Sequence, residues 1–200
     1  GWLLNRSVRP ERMGLFAWML GLAGKTEDAA QNRQFLEDLI WQNHDDFRQG
    51  FDGILAGYLV LAGEPGLELL DARYLRNQQA ASGDVRQALR ALRFHAEYGR
   101  DIPAERLARS VRQVLGRPDT TAEAIRDLSR WQDWSAARQV ADLWHRPELE
   151  DRATREAIVG YLLLCPEPAA AEALRELREQ DRQAVAAAER DFQVSQSLGR

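Results

Sequence analysis

Apolar residues recur at helical spacing in almost every segment between the chain's proline and glycine residues. In the stretch ILAGYLVLAGEPG, residues 54–66, one apolar stripe consists of Ile54, Leu55, Tyr58, Leu59 and Ala62. Residues spaced by three and four positions lie on one face of an α-helix. No segment alternates apolar and polar residues long enough to predict a β-strand. The pattern therefore predicts an all-α protein.

The stretch 54–66 occurs a second time, as AIVGYLLLCPEPA at residues 157–169, at an offset of 157 − 54 = 103 residues. This offset corresponds to three repeats of about 34 residues, which is within the range of helical repeat arrays. A proline follows each copy of the first helix, at Pro65 and at Pro168. Proline suits the first turn of a helix because its missing N–H is not needed there. Each copy is therefore predicted to be a helix, a tight turn and the start of an antiparallel helix.

The same arrangement, continued along the chain, predicts five helix hairpins and a final helix. The hairpins cover residues 10–45, 47–79, 84–116, 120–145 and 151–181, followed by a capping helix at 182–192 and a flexible tail at 194–200. No linker rich in Pro, Gly or Ser divides the hairpins, so we expect a single domain over residues 1–193. One hairpin cannot bury both its faces, and stacking of neighbouring hairpins would supply a continuous core.

Helix pairs of about 35–40 residues with proline or glycine at the turn resemble HEAT-type and armadillo-like α-solenoids. The resemblance covers residues 47–181 and implies a right-handed α-α superhelix of about five stacked hairpins with a C-terminal capping helix. More narrowly, GYLVLAGEPGLELLD, ALRFHAEYG with IPAERL, and RPDTTAEAIRDLSRWQDWS are similar to segments of bacterial helical-repeat proteins without an assigned activity. HEAT-type families mostly hold peptides or proteins, so the resemblance implies a non-catalytic scaffold with a protein or peptide partner.

The charge balance of the chain argues against a general binder of nucleic acid or anionic membranes. The 200 residues include 27 basic and 31 acidic side chains, which give a net charge of −4. An arginine face is nevertheless conceivable, because Arg106, Arg109 and Arg112 follow one another at i, i+3 and i+6, with Glu105 interrupting them. One alternative is therefore a nucleic-acid-binding or glycosylase-like helical-repeat protein, although we expect nucleic acid not to be the partner.

The beginning of the chain has two interpretations. The apolar segment from Met13 to Ala23 resembles a signal-peptide core, but Trp18 and the glycines favour the first helix of a hairpin. Its 11 residues are too few to span a membrane, so we expect no membrane insertion. Because the chain starts with Gly1, a further alternative is a structural segment of a longer multidomain chain. We expect a monomer, and the sequence leaves a cytoplasmic or exported location open.

Three sequence motifs suggest chemistry, and each lacks residues that the chemistry requires. His44-Asp45-Asp46 has the His-Asp pair of HD-type phosphohydrolases, but no histidine precedes it. His95-Ala96-Glu97 matches half of a zinc deaminase signature without its Pro-Cys-x-x-Cys. Cys165 is the sole cysteine and cannot form an internal disulfide or a thiolate zinc site alone. We therefore predict no catalytic residue, no cofactor and no metal.

Tryptophan and arginine cluster in one part of the chain, since Trp131, Trp134 and Trp144 fall within fourteen residues. Exposed Trp and Arg side chains are typical of binding hot spots, whereas buried rings would pack neighbouring hairpins together. We predict inter-repeat packing for Trp131, Trp134, Trp144, Tyr58 and Tyr161. We predict a partner-binding surface that includes Arg106, Arg109, Arg112, Arg130 and Arg138.

Overall fold

The computed structural model describes residues 10–23, 28–42 and 49–198, and over these ranges it contains helices and no strand. The prediction of an all-α protein is confirmed. The α-helices of the described ranges are α1 (Pro10–Ala23), α2 (Ala29–Trp41), α3 (Phe51–Ala62), α4 (Leu67–Leu70), α5 (Ser82–Tyr98), α6 (Ala104–Arg112), α7 (Thr121–Arg130), α8 (Ala137–Asp142), α9 (Arg152–Leu164), α10 (Pro168–Gln180) and α11 (Arg182–Leu198). No helix within these ranges has both the length and the apolar composition that crossing a membrane requires.

The two copies of the repeated stretch form helices that end where the sequence predicts. The first copy forms α3, and the second forms the C-terminal part of α9. After the second copy, α10 begins at Pro168 as predicted. After the first copy, Pro65 lies in a 3₁₀ turn, and the short helix α4 continues into a π-helical segment, Asp71–Leu75. The two copies therefore share their first helix and differ in the turn and in the helix that follow.

The described residues form two compact units, which divide between residues 110 and 111. The single domain over residues 1–193 stays a prediction. In the first unit α3 packs against α1, α2 and α5. The helix is apolar on all sides, as expected of a buried helix, and Phe51, Leu55 and Leu59 have almost no exposed surface.

In the second unit α9 packs against both α7 and α11, while α8 and α10 pack against each other and against α9. Apolar side chains from all five helices are fully or nearly fully buried in this core: Leu128, Val140, Ile158, Leu162, Leu174, Leu177 and Val185. The helix that carries the second copy of the repeated stretch is therefore central to this unit, as α3 is to the first.

The last helix extends past its predicted end. We expected a capping helix at 182–192 and a tail at 194–200, whereas α11 continues to Leu198 and makes residues 194–198 helical. The first residue able to stop this helix readily is Gly199. The side chains from Gln193 to Ser197 are exposed, and helix formation there needs only the absence of a breaker.

A left-handed residue terminates α7. Gln132 has φ 56°, the one positive φ among the described non-glycine residues. Its N–H donates to Ser129 O at 3.1 Å, and the Asp133 N–H donates to Leu128 O at 2.9 Å. These two bonds define a Schellman motif, in which the left-handed position normally holds glycine because a Cβ is strained there.

We expect Gln132→Gly to raise the free energy of unfolding by about 0.5–1 kcal/mol, because relief of the left-handed strain exceeds the extra entropy that glycine loses on folding. Gln132→Ala keeps a Cβ and serves as the control, with no gain expected. Urea unfolding followed by circular dichroism measures both. Equal stabilities for the Gly and Ala variants would contradict the assignment of strain to Gln132.

Candidate functional site

A groove of about 500 Å³ crosses α7, α9 and α11 in the second unit. Its lining residues recur at helical spacing, so that each helix presents one face to the groove. The apolar and cationic parts of the lining come from Arg126 and Arg130 on α7, Ala157, Gly160 and Leu164 on α9, and Phe192 on α11. The groove thus combines an apolar floor with cationic side chains along one wall.

Small residues on α9 make this surface concave. Ala157 and Gly160 lie one turn apart on the face that separates α7 from α11. A Cβ added at Gly160 would come within 2.5 Å of the Phe192 ring, so the glycine lets this ring lie close to the α9 backbone. Leu164, one further turn along, has 50% of its surface exposed and continues the apolar floor toward solvent.

The matching glycine of the first copy has a different environment. Gly57 stands 103 residues before Gly160, and a Cβ added at Gly57 would come within 2.3 Å of the carbonyl oxygen of Ala17 in α1. Backbone therefore covers Gly57, whereas a single aromatic side chain covers Gly160. This difference leaves the second copy with an open groove at a position where the first copy has a packed helix crossing.

The two arginines of the groove are half exposed and make long contacts with carboxylates of their own unit. Arg126 Nη2 lies 3.6 Å from Glu156 Oε2, and Arg130 Nη1 lies 3.4 Å from Asp127 Oδ1. Elsewhere in this unit Arg178 Nη2 approaches Glu189 Oε1 to 2.6 Å. Charge-assisted hydrogen bonds are normally about 2.7–2.9 Å long, so the contacts in the groove are weaker than the best pairs of the unit.

Tyr161 anchors α9 beneath the groove. Its hydroxyl donates a hydrogen bond to the carbonyl oxygen of Asp133, and its ring meets Trp134 edge to face with 5.2 Å between centroids. Burial raises the pKa of the Tyr161 hydroxyl well above its ordinary value, with the nearby Asp133 carboxylate adding to the effect. Arg112 binds that carboxylate through two hydrogen bonds of 2.7 and 2.8 Å. The groove therefore lies over a rigid, hydrogen-bonded base.

The other aromatic residues predicted to pack lie at or near the interior. Trp144 is buried, and the Arg155 guanidinium lies 4.8 Å from its ring centre. Trp131 is partly exposed, although its indole Nε1 is buried. Tyr58 is buried in the first unit, and burial, followed by the charge of Glu37, raises the pKa of its hydroxyl. Packing between repeats stays a prediction for these rings.

The predicted arginine surface needs a correction. Arg106 and Arg112 are mostly buried, because the first pairs with Asp71 at 2.7 Å and the second with Asp133. Arg109 is exposed and contacts Glu105 on its own helix. The three guanidiniums therefore do not form one exposed cationic face, since two of them are ion-paired inside the fold.

The last two arginines of the predicted surface are exposed. Arg138 contacts Asp142 at 3.3 Å and Glu176 at 3.2 Å on the outside of the second unit. Arg130 lines the groove and is the one predicted surface residue that does so. Ala157, Gly160, Leu164 and Phe192 were not predicted as site residues. The repeated Gly-Tyr-Leu sequence marked Gly160 as part of a repeat, but it gave no sign of a groove.

Of the three motifs with possible chemistry, two lie in the interior and one lies outside the described residues. His44-Asp45-Asp46 falls outside the described residues. His95 is buried on α5, with its Nε2 3.0 Å from Ala56 O, and Cys165 is a buried free cysteine. Within the described ranges, no three His, Cys, Asp or Glu side chains are grouped so that they could hold a metal ion.

A smaller groove of about 340 Å³ lies in the first unit, across α1, α3 and α5. Trp18 and Phe94 line it and meet edge to face with 5.7 Å between ring centroids. Arg90 and Asp52 supply one charge of each sign. Its charged lining is thus balanced, unlike that of the larger groove.

Comparison of the chain with protein-family models, curated proteins and solved structures gives no significant match. The resemblance to HEAT-type and armadillo-like proteins accordingly stays a prediction. The candidate site is therefore defined by the local geometry of α7, α9 and α11.

Proposed function

We propose that the chain is a non-catalytic helical-repeat scaffold that binds a segment of a protein or peptide in the groove across α7, α9 and α11. The observation that carries the proposal is the groove itself, which combines a volume of about 500 Å³, an apolar floor and two half-exposed arginines. Binding sites are typically concave and mostly apolar, with a few polar groups that fix orientation. Grooves between helices are a recurrent site for peptide segments.

A HEAT-like stacking of hairpins is part of this proposal. In the second unit, α7, α9 and α11 are successive neighbours, and α8 and α10 are neighbours beside them. Two layers of alternating helices are the arrangement expected of stacked hairpins. The partner groove then lies on the layer formed by the first helix of each hairpin and by the final helix.

The nucleic-acid alternative has less support. It required Arg106, Arg109 and Arg112 to present a common basic face, and the pairing of Arg106 and Arg112 with buried carboxylates removes most of that charge.

We expect Leu164→Asn to weaken the binding of peptides selected on the purified chain by about tenfold, because the variant removes apolar contact from the groove floor. Leu163→Asn is the matched control. Leu163 and Leu164 are neighbours on α9 with 41% and 50% exposure, and of the two Leu164 lines the groove. Peptides taken from a displayed random-peptide library would be measured by fluorescence anisotropy.

Equal dissociation constants for the Leu164→Asn and Leu163→Asn variants would show that the selected peptides bind elsewhere and would overturn the proposed site. Circular dichroism of both variants checks that they fold like the parent chain. Both positions are exposed, so we expect changes in stability within about 0.5 kcal/mol.

A further inference from the structure

We propose that the segment bound in the groove is acidic and places a carboxylate against Arg126 and Arg130, with an apolar side chain against Phe192 and Leu164. This inference rests on the proposed function and specifies the chemistry of the partner. It follows from the charge, spacing and exposure of the side chains that line the groove.

The two arginines are placed to act on the same anionic group. Arg126 and Arg130 are four residues apart on α7, so they lie on one face with about 5–6 Å between their Cβ atoms. Each guanidinium carries five N–H donors in a planar fork that matches a carboxylate. A carboxylate that enters between them can therefore accept hydrogen bonds from both side chains.

The arginines remain accessible despite their contacts within the chain. Their side chains are 48% and 54% exposed, and their contacts with Glu156 and Asp127 measure 3.6 and 3.4 Å. By contrast, Arg112 and Asp133 form a bidentate pair with both contacts below 3 Å. A partner carboxylate would reach the exposed parts of both guanidiniums and accept charge-assisted hydrogen bonds from Arg126 and Arg130.

The exposed charge of the groove is more positive than that of the chain as a whole. The side chains of Arg126 and Arg130 are 48% and 54% exposed, whereas those of Glu156 and Asp127 beside them are 18% and 1% exposed, and the whole chain carries −4. Arginines at this site therefore provide a positive feature on an acidic protein, which favours acidic segments over basic ones at close range. Screening by salt should weaken this preference.

The apolar part of the partner has a defined position. The Phe192 ring covers Gly160, and Ala157 is buried, so Phe192 and the half-exposed Leu164 form the apolar surface that a partner would meet. An apolar side chain placed there would bury its own surface together with the exposed part of Leu164. The groove thus selects for an acidic residue and a bulky apolar residue close together in one segment.

The test uses peptides selected on the intact chain from a displayed random-peptide library. We expect the selected peptides to be enriched in Asp or Glu together with bulky apolar residues. Replacing their acidic residues with the corresponding amides should weaken binding about tenfold, and the Arg126→Gln, Arg130→Gln double variant should cause a similar loss. Binding of the acidic peptides should also weaken as sodium chloride rises.

Arg175→Gln is the matched control for the arginine variants. Arg175 contacts the exposed Glu172 three residues earlier on α10, at the same spacing as Arg130 and Asp127 on α7, and it does not line the groove. Asp127 is 1% exposed, so we expect Arg130→Gln, unlike Arg175→Gln, to lower the melting temperature as well. We expect Arg175→Gln to bind the selected peptides as the parent chain does. Thermal melting of each variant separates a loss of binding from a loss of folding.

One outcome separates the two proposals. If the selected peptides bind Leu164→Asn more weakly, but bind the arginine variants normally and keep their affinity after amide replacement, the proposal of an acidic partner is wrong and the proposed function stands. Peptides insensitive to Leu164→Asn, or a library that yields no binder, would overturn both. Loss of binding on replacement of Leu164, of the two arginines and of the peptide carboxylates supports both.

Discussion

Replacing Arg106 with Gln is expected to lower the free energy of unfolding by about 3–5 kcal/mol, because the change leaves a buried carboxylate without its cationic partner. Arg106 Nη2 donates to Asp71 Oδ2 at 2.7 Å, and Arg106 Nη1 donates to Ser110 Oγ at 2.6 Å. The side chains of Arg106 and Asp71 are 15% and 2% exposed. At such burial water cannot replace the lost hydrogen bonds, so the cost approaches that of an uncompensated charge.

Arg109→Gln provides the control on the same helix. Arg109 and Glu105 are exposed and form an i,i+4 pair, so their contribution is at most about 0.5 kcal/mol. Urea unfolding followed by circular dichroism measures both variants, and the transition that includes residues of the first unit is the relevant one. Arg106→Gln and Arg109→Gln variants of equal stability would contradict a structural role for Arg106.

A double variant separates the cost of an orphaned charge from the value of the pair. Arg106→Met with Asp71→Leu removes both charges and keeps apolar volume at both positions. Because buried ion pairs often contribute no more than well-packed apolar residues, we expect the double variant to recover most of the stability that Arg106→Gln loses. A double variant as unstable as Arg106→Gln would show that the site needs the pair itself.

The helices could be predicted from the sequence because their causes are local. The hairpin predicted at 84–116 opens with α5, Ser82–Tyr98, and the predicted start at Pro168 is the start of α10. Apolar spacing and the missing N–H of proline act within a few residues, so they are visible in the sequence. The hairpin predicted at 120–145 corresponds to α7 and α8, which are separated by the turn after Arg130.

The partners of charged side chains could not be predicted in the same way. The spacing of Arg106 and Arg109 places them on one broad face of α6, but it does not say which of them meets a carboxylate from another segment. Asp71 is 35 residues from Arg106 in sequence and lies in a π-helical turn that the pattern did not predict. Arg106 was predicted to lie on the surface, and its ion pair with the distant Asp71 places it mostly in the interior.

The groove could not be predicted from the sequence for a related reason. A concave surface requires small residues on one helix and flanking helices that do not fill the space, and the second condition is not a property of the local sequence. Gly57 and Gly160 occupy equivalent positions in similar stretches, yet α1 backbone covers one and the Phe192 ring covers the other. The stretch could be identified as a repeat, whereas the groove depends on the neighbours of each copy.

Gly57→Ala is expected to lower the free energy of unfolding by about 2–3 kcal/mol, near the upper end of the range for overpacking. The new Cβ would lie 2.3 Å from Ala17 O and 2.7 Å from Ala17 C, both backbone atoms of α1. Backbone cannot escape by changing rotamer, so α1 must shift away from α3. The shift would also disturb the close approach of Gly14 and Gly53 on the same two helices. These costs exceed the gain of about 0.5–1 kcal/mol that alanine brings to a helix interior.

Gly160→Ala is the control that the repeat itself supplies, because it makes the same substitution at the equivalent position of the second copy. Its Cβ would meet the Phe192 ring at 2.5 Å, and a side chain bordering an open groove can rotate away. We expect a change of less than about 1 kcal/mol, since the helix propensity of alanine offsets the adjustment. Thermal and urea unfolding of the two variants give the comparison directly. If Gly57→Ala is tolerated as well as Gly160→Ala, α1 does not pack on α3 through its backbone, and the role assigned to the first glycine is wrong.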